Sequence, residues 1–163
     1  MANSSAVQLA DLALVWSNTT LSADVTIIDG DLASDRGLMT AVLMSLFTDR
    51  RAQNDDVPPS GDPTDRRGWW ADEFAAVLGD LTGSRLWLLD RSKLTNGTVQ
   101  LATEYVKEAL QWMLDDQVVE SVTPTITTLS NGLVISVQLQ EPNKKDPTTF
   151  KFAWVWDHVQ EDL

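Results

Sequence analysis

The pair Asn131-Gly132 is flanked by two stretches in which apolar and polar residues alternate, and nothing else in the chain restricts the fold as tightly. Asn-Gly suits a two-residue hairpin loop because both central residues of the favoured turn take positive φ. Val122–Thr128 and Leu133–Gln140 are therefore expected to pair antiparallel. A two-residue loop sets Thr128 opposite Ile135, Ile126 opposite Val137 and Pro124 opposite Leu139, which gathers the apolar side chains on one face. After the polar loop EPNKKDP comes TTFKFAWVW, a third strand with Phe150, Phe152, Trp154 and Trp156 on one face and Lys151, Ala153 and Val155 on the other. That aromatic face needs cover. A helix from Thr98 to about Asp116 supplies it, since Ala102, Tyr105, Val106, Ala109, Leu110 and Met113 make one apolar stripe with Glu104 and Glu108 off it. Thr95-Asn96-Gly97 reads as the turn before that helix, and Asp115-Asp116 at its end opposes the helix dipole. The expected class is α+β, with a three-stranded antiparallel C-terminal sheet packed on a long helix.

Upstream the pattern is shorter. Leu12–Trp16 and Asp24–Ile28 are apolar runs around the polar turn SNTTLSA and are expected to be two strands. Leu38, Ala41, Val42, Ser45 and Leu46 recur at helical spacing, which predicts a helix from about Arg36 to Phe47 capped by Ser34 or Asp35. Ala52–Thr64, AQNDDVPPSGDPT, holds three prolines and a glycine, which rules out a regular element. So long a loop in a compact domain points to function or disorder. It lies between Asp49-Arg50-Arg51 and Asp65-Arg66-Arg67, and two such corners would bring it back to its starting point. Beyond Gly68, Trp70, Phe74, Val77 and Leu78 are expected on one face of a short helix stopping at Gly79. Ser84 is placed to cap two turns over Arg85–Arg91, although Leu86–Leu89 also reads as a buried strand. With 163 residues the chain fits one domain, here residues 11–163 behind a loose tail at 1–10.

Charge is distributed unevenly. The net value is −12, yet all seven arginines lie between Arg36 and Arg91. The span 36–93 has 8 basic and 9 acidic residues, against 4 and 15 elsewhere. An acidic exterior repels phosphate backbones, so nucleic acid is not an expected partner. The near-neutral middle also concentrates tryptophan. Trp and Arg are the residue types most enriched at binding hot spots, so Asp49, Arg50, Arg51, Asp65, Arg66, Arg67, Trp69, Trp70, Arg85, Trp87 and Arg91 are the candidate interaction residues, expected as one polar cluster beside the three tryptophans. Each arginine can equally serve internally, paired with Asp49, Asp65 or Asp72 to pin the loop, and the tryptophans are expected mainly in the core.

Catalytic and ligand chemistry is sparse. There is no cysteine and one histidine, His158, which removes His/Cys metal sites and disfavours a Ser-His-Asp arrangement. Asp29-Gly30-Asp31 fails the calcium-loop pattern at Ala33, and Asp55-Asp56 reads as turn-forming, solvated charge. No glycine loop cradles phosphate, so no cofactor, metal or small-molecule substrate is expected. Paired carboxylates leave a lysozyme-like hydrolase as one alternative reading, and a small protein-binding module as another. The first fifteen residues carry no Lys or Arg, and no stretch nears the ~18 apolar residues of a membrane span, so neither secretion nor membrane insertion is expected.

Four blocks in order carry a resemblance: TAVLMSLFTDRRA (Thr40–Ala52), DRRGWWAD (Asp65–Asp72), GSRLWLLDRSKLT (Gly83–Thr95) and EALQWMLDD (Glu108–Asp116). Together they closely resemble the Mu-like phage tail baseplate protein family, within the sheath-proximal wedge proteins of contractile tails and type VI secretion systems. The resemblance runs from about Asp11 to Trp156 and departs at Gln117, where the family more usually has Gly. It implies a non-catalytic structural subunit of the virion's tail baseplate, assembled in the host cytoplasm. Its implied partners are other baseplate wedge proteins and tail sheath subunits.

Overall fold

The computed structural model describes residues 11–28, 31–32, 34–35, 38–75, 79 and 81–155. The predicted N-terminal tail, Val77, Leu78, Trp156 and His158 lie outside them. In chain order the strands are β1 (Asp11–Leu12), β2 (Leu14–Ser17), β3 (Ser22–Val25), β4 (Ile27–Ile28), β5 (Asp31–Leu32) and β6 (Ser34–Asp35). Then come α1 (Met39–Phe47), 3-10 turns at Trp70–Phe74 and Leu86–Leu89, α2 (Asn96–Asp115), β7 (Ser121–Thr128), β8 (Gly132–Gln140) and β9 (Thr148–Val155). The class is α+β, as expected. The three-stranded sheet runs β7-β8-β9, while β1/β6, β2/β3 and β4/β5 form small antiparallel pairs.

The sheet is built on alternation. Leu133, Ile135, Val137 and Leu139 of β8 are completely buried, and Phe150 and Phe152 of β9 join them on the same face. The six predicted stripe residues of α2 are all buried against this layer. The aromatic end of β9 has a second cover. Trp16 stacks on Phe47 at 4.6 Å, and both rings meet Phe152 edge-on at 5.9 and 5.4 Å. Edge-on and offset contacts suit the ring quadrupoles and add to the area each ring buries. Trp112 Nε1 also donates to Ser45 Oγ at 3.0 Å and ties α2 to α1.

The hairpin register differs from expectation by two residues. Thr128 faces Leu133, Ile126 faces Ile135 and Pro124 faces Val137. Ser130-Asn131 forms the loop, and Leu129 N donates to Gly132 O at 2.8 Å. The reason lies on the neighbouring strand. Gly132 opposes Val155, and a methyl group there would run into the Trp154 carbonyl oxygen. The glycine serves close strand approach rather than the turn. A two-residue shift preserves facing, so Ile126 and Val137 still share one face.

Helix boundaries moved for local reasons. Ser34 and Asp35 pair with Leu12 and Asp11 instead of capping α1, which starts at Met39 without a side-chain cap. Thr40 Oγ1 donates to Leu12 O at 2.8 Å, so the first turn is anchored to β1 instead. Asn96 and Gly97 are not a turn but the first residues of α2, because Thr95 is the N-cap and accepts from Thr98 N. The other end of α2 is a Schellman cap. Val118 N donates to Met113 O at 2.9 Å and Gln117 N to Leu114 O at 3.1 Å, with Gln117 at φ 57°. Gln117 thus holds the left-handed conformation that glycine takes most cheaply, at a cost of about 1–2 kcal/mol. Replacing Gln117 by Gly is predicted to stabilise the protein by about 0.5–1 kcal/mol, after the glycine entropy term. Denaturant melts check this; a destabilised variant would mean that the Gln117 side chain holds the cap.

Candidate functional site

The two Asp-Arg-Arg corners do meet. Ala52 N donates to Arg66 O at 2.9 Å, and the Cβ of Arg51 lies against Gly68. Arg66 then fills the loop from within. Its guanidinium donates to the carbonyls of Gln53 (2.5 Å), Asn54 (3.3 Å) and Asp56 (3.4 Å). A planar five-donor group can satisfy several converging carbonyls that loop backbone leaves unpaired. Arg67, at φ 46°, turns the other way. It pairs with Asp49 at 2.8 Å and Asp65 at 3.7 Å, and its guanidinium lies 4.4 Å from the centroid of the Trp87 ring. Trp87 is 4% exposed and donates Nε1–H to Arg50 O at 2.8 Å.

Arg85 is the junction. Its Nη1 bonds both oxygens of Asp56 at 3.1 Å, and its Nε bonds Glu108 on α2 at 2.9 Å. The guanidinium also lies 4.6 Å from the Tyr105 ring centroid, and Arg50 approaches Glu108 at 3.9 Å. One side chain therefore joins the loop, the 3-10 segment and the long helix. Burial works against the Arg85 charge, but the hydrogen bonds it donates to Glu108 and Asp56, with the attraction of their charges, outweigh it and hold the group above its ordinary range. Burial also pushes the Tyr105 phenol up; Arg85 pulls it back, while Asp56 and Glu108 push further.

The backbone under Arg85 follows from two small residues. Ser84 N donates to Thr48 O and Arg50 N to Ser84 O, both at 2.9 Å, in an isolated parallel bridge. Ser84 Oγ donates to Leu46 O and accepts from Leu86 N, so it holds the end of α1 to the start of the following turn, whose N-cap is Arg85 and not the expected Ser84. Gly83, at φ 95°, leaves no space for a Cβ beside the Thr48 carbonyl. The turn is 3-10 over Leu86–Leu89, shorter than the two turns predicted, and all four residues are buried.

Several expectations are corrected here. The candidates are not one cluster: Arg67 joins Asp49, Asp65 and Trp87, while Arg85 joins Asp56, Glu108, Tyr105 and Arg50. Arg66 links the two through the backbone of Asp56. Among the described residues, Arg51 and Arg91 make no ion pair. Asp56 is not solvated charge; its side chain is 11% exposed. Asp72 pairs with no arginine but accepts from Thr82 N at 3.1 Å, and its Oδ2 is enclosed without a donor. An orphaned oxygen of this kind costs about 1–3 kcal/mol. The tryptophans of the segment are not mainly core, since Trp70 is 73% exposed and Trp69 also faces solvent. Phe74, expected on an inner helix face, is 77% exposed on the 3-10 turn. Sequence reasoning missed Tyr105 and Glu108 as site residues, although Glu108 stands three residues after Tyr105 and flanks the stripe.

Residues 38–146 match the family described as phage protein GP46. The chain belongs to that family. The matched span includes α1, the pinned loop, Arg85 with both its carboxylates, and α2. Baseplate protein gp46 of Escherichia phage Mu is 38% identical over 148 residues, covering 90% of this chain and 98% of that protein. Mu-like prophage FluMu protein gp46 of Haemophilus influenzae is 37% identical over 114 residues, covering 70% of this chain and 73% of that protein. Within this GP46-family chain no group of three or more metal-ligating side chains occurs among the described residues. Nor is any helix among them long and apolar enough to cross a membrane.

Two predictions test the junction. Arg85→Ala strands two carboxylates of low exposure and should cost about 3 kcal/mol in thermal or urea unfolding. A loss under about 1 kcal/mol would mean that Arg66 alone secures the loop. Tyr105 is the sole tyrosine, so tyrosinate absorbance reports it directly. Its titration in the folded protein should lie above the ordinary phenol value of about 10. The neutral phenol's contribution to stability is then fully present below pH ~10 and is lost as pH rises through the higher folded value. Arg85→Ala should move the midpoint up further; a midpoint that fell would contradict the arrangement.

Proposed function

We propose that this chain is a structural subunit of a contractile phage tail baseplate, a wedge protein that contacts other wedge proteins and the first sheath ring. The observation that carries the reading is the similarity to the Mu baseplate protein over nearly all of that protein's length. The geometry is compatible with a scaffold. The best-ordered polar chemistry in the chain, around Arg66, Arg67 and Arg85, is spent on holding loop 52–64 against α2. A rigid loop is a surface that can be docked against without an ordering cost. On this reading the chain acts as a single domain from residue 11 onward and catalyses nothing, and the loop corner with Trp69 and Trp70 faces the wedge.

The sheath contact is assigned to the sheet edge at β9. An edge strand offers free N–H and C=O groups to an incoming strand. Pro124 on β7 has no N–H, and the pairing of Leu129 with Gly132 turns the groups of Val122, Pro124 and Ile126 outward. The β7 edge is thus interrupted at its centre, as edge prolines do in sheets that avoid pairing. On β9 the alternation turns Thr149, Lys151 and Ala153 outward. Ala153 N is satisfied by Asn18 Oδ1 at 3.3 Å, which leaves the Thr149–Lys151 portion for a partner strand.

Crosslinking of assembled tails should connect residues 148–151 to a sheath subunit, and residues 121–128 much less. Tails in which neither edge ever crosslinks to sheath would remove the sheath assignment. Cell-wall hydrolysis by the purified protein, abolished by changing one or two carboxylates, would overturn the non-catalytic reading.

A further inference from the structure

The pinned loop leaves one feature of the Arg/Trp segment unused. Trp69, Trp70 and Phe74 form a shelf of rings with centroids 5.9 and 6.4 Å apart, and Trp70 and Phe74 are largely open to solvent. Large rings left outside a core mark an interaction site, and here they sit on a five-residue 3-10 turn that also carries Asp72 and Glu73. Glu73 is exposed, whereas Asp72 Oδ2 is enclosed and has no hydrogen-bond partner among the described residues. The shelf thus combines aromatic faces and an exposed carboxylate.

We propose that this shelf receives a basic segment of another protein of the assembly, one arginine or lysine lying over Trp70 or Phe74 and reaching the exposed Glu73 carboxylate. The charge of the whole chain argues for that sign. A net charge of −12 draws a cationic segment in and repels an anionic one. The protein already uses the same chemistry internally, with Arg67 over Trp87 and Arg85 over Tyr105, each also held by carboxylates. The surrounding segment is itself near neutral, and Arg51 beside Gly68 makes no ion pair among the described residues, so the attraction is that of the molecule as a whole. A second copy of this chain is a poor occupant, because three rings offer a few hundred Å² where a stable dimer needs about 800 Å² from each partner.

The proposal rests on the reading of the chain as an assembly subunit but is tested apart from it. The probes are two synthetic peptides of equal length, one of leucine and arginine, the other of leucine and glutamate. Both are titrated against the full chain by tryptophan fluorescence at ~0.15 M salt. The arginine peptide should bind and the glutamate peptide should not. Trp70→Ala and Glu73→Gln should each weaken the arginine peptide by about tenfold with melting near normal, whereas Glu104→Gln on α2 should change binding less than twofold. Equal binding by wild type and Trp70→Ala would make the attraction general electrostatics and overturn the proposal. Preference for the glutamate peptide would overturn its sign, and a concentration-dependent dimer abolished by Trp70→Ala would replace the basic partner with a second copy. Normal incorporation of Trp70→Ala into baseplates would sink this inference and leave the baseplate reading standing.

Discussion

Arg85 is the constraint on which the site depends. A guanidinium that bonds Asp56 in the loop and Glu108 on α2 is worth little as a surface pair, but here all three groups are mostly shielded. Shielding makes the arrangement unforgiving rather than strongly stabilising: each member is tolerable only while the others remain. The Tyr105 face adds a second attraction from the same helix. Loop 52–64, which has no regular structure, is thereby fixed relative to the helix that covers the sheet. The shape of the loop surface and the position of the sheet are coupled through one side chain.

Membership of the GP46 family sets that coupling in context. The matched span begins at α1 and ends in the loop before β9, so it includes the whole ionic junction. Arg66 and Arg67 serve inward: one satisfies carbonyls, the other bridges two carboxylates above Trp87. The segment rich in Arg and Trp is therefore divided. Arg50, Arg66, Arg67, Arg85 and Trp87 tie the scaffold together, Arg51 and Arg91 make no ion pair among the described residues, and Trp69, Trp70 and Phe74 face outward.

Much of the fold could be read from the chain, because period-2 and period-3.6 patterns depend only on burial. The α2 stripe and the inward faces of β8 and β9 follow directly from that rule. The hairpin register could not, since Gly132 looks like a turn residue until the carbonyl of Trp154 is seen against it. Asp56 was equally illegible: an acid in a loop of prolines and aspartates carries no mark of the arginine that reaches it from 29 positions away. Trp70 and Phe74 failed differently. Helical spacing predicted an inner face, but the backbone made only a 3-10 turn, and a short turn cannot turn both rings inward. The cap residues erred by competition, as Ser34 and Asp35 were taken by β1 before α1 could use them.

The ring cluster of Trp16, Phe47 and Phe152 has a consequence for how the chain comes into being. It joins the second strand, the first helix and the last strand, and Asn18 reaches Ala153 across 135 positions. Contacts so distant in sequence are slow to form, because a long loop must close before any of them is rewarded. Phe152 is made long after Trp16 and Phe47, which must wait for it. Until then the early strands expose unsatisfied apolar surface, the state in which chains aggregate. The same delay acts as a checkpoint: a truncated or stalled product lacks the lid on its aromatic corner and cannot present a finished sheet. In this fold one strand, β9, closes the aromatic corner of the early elements and completes the sheet.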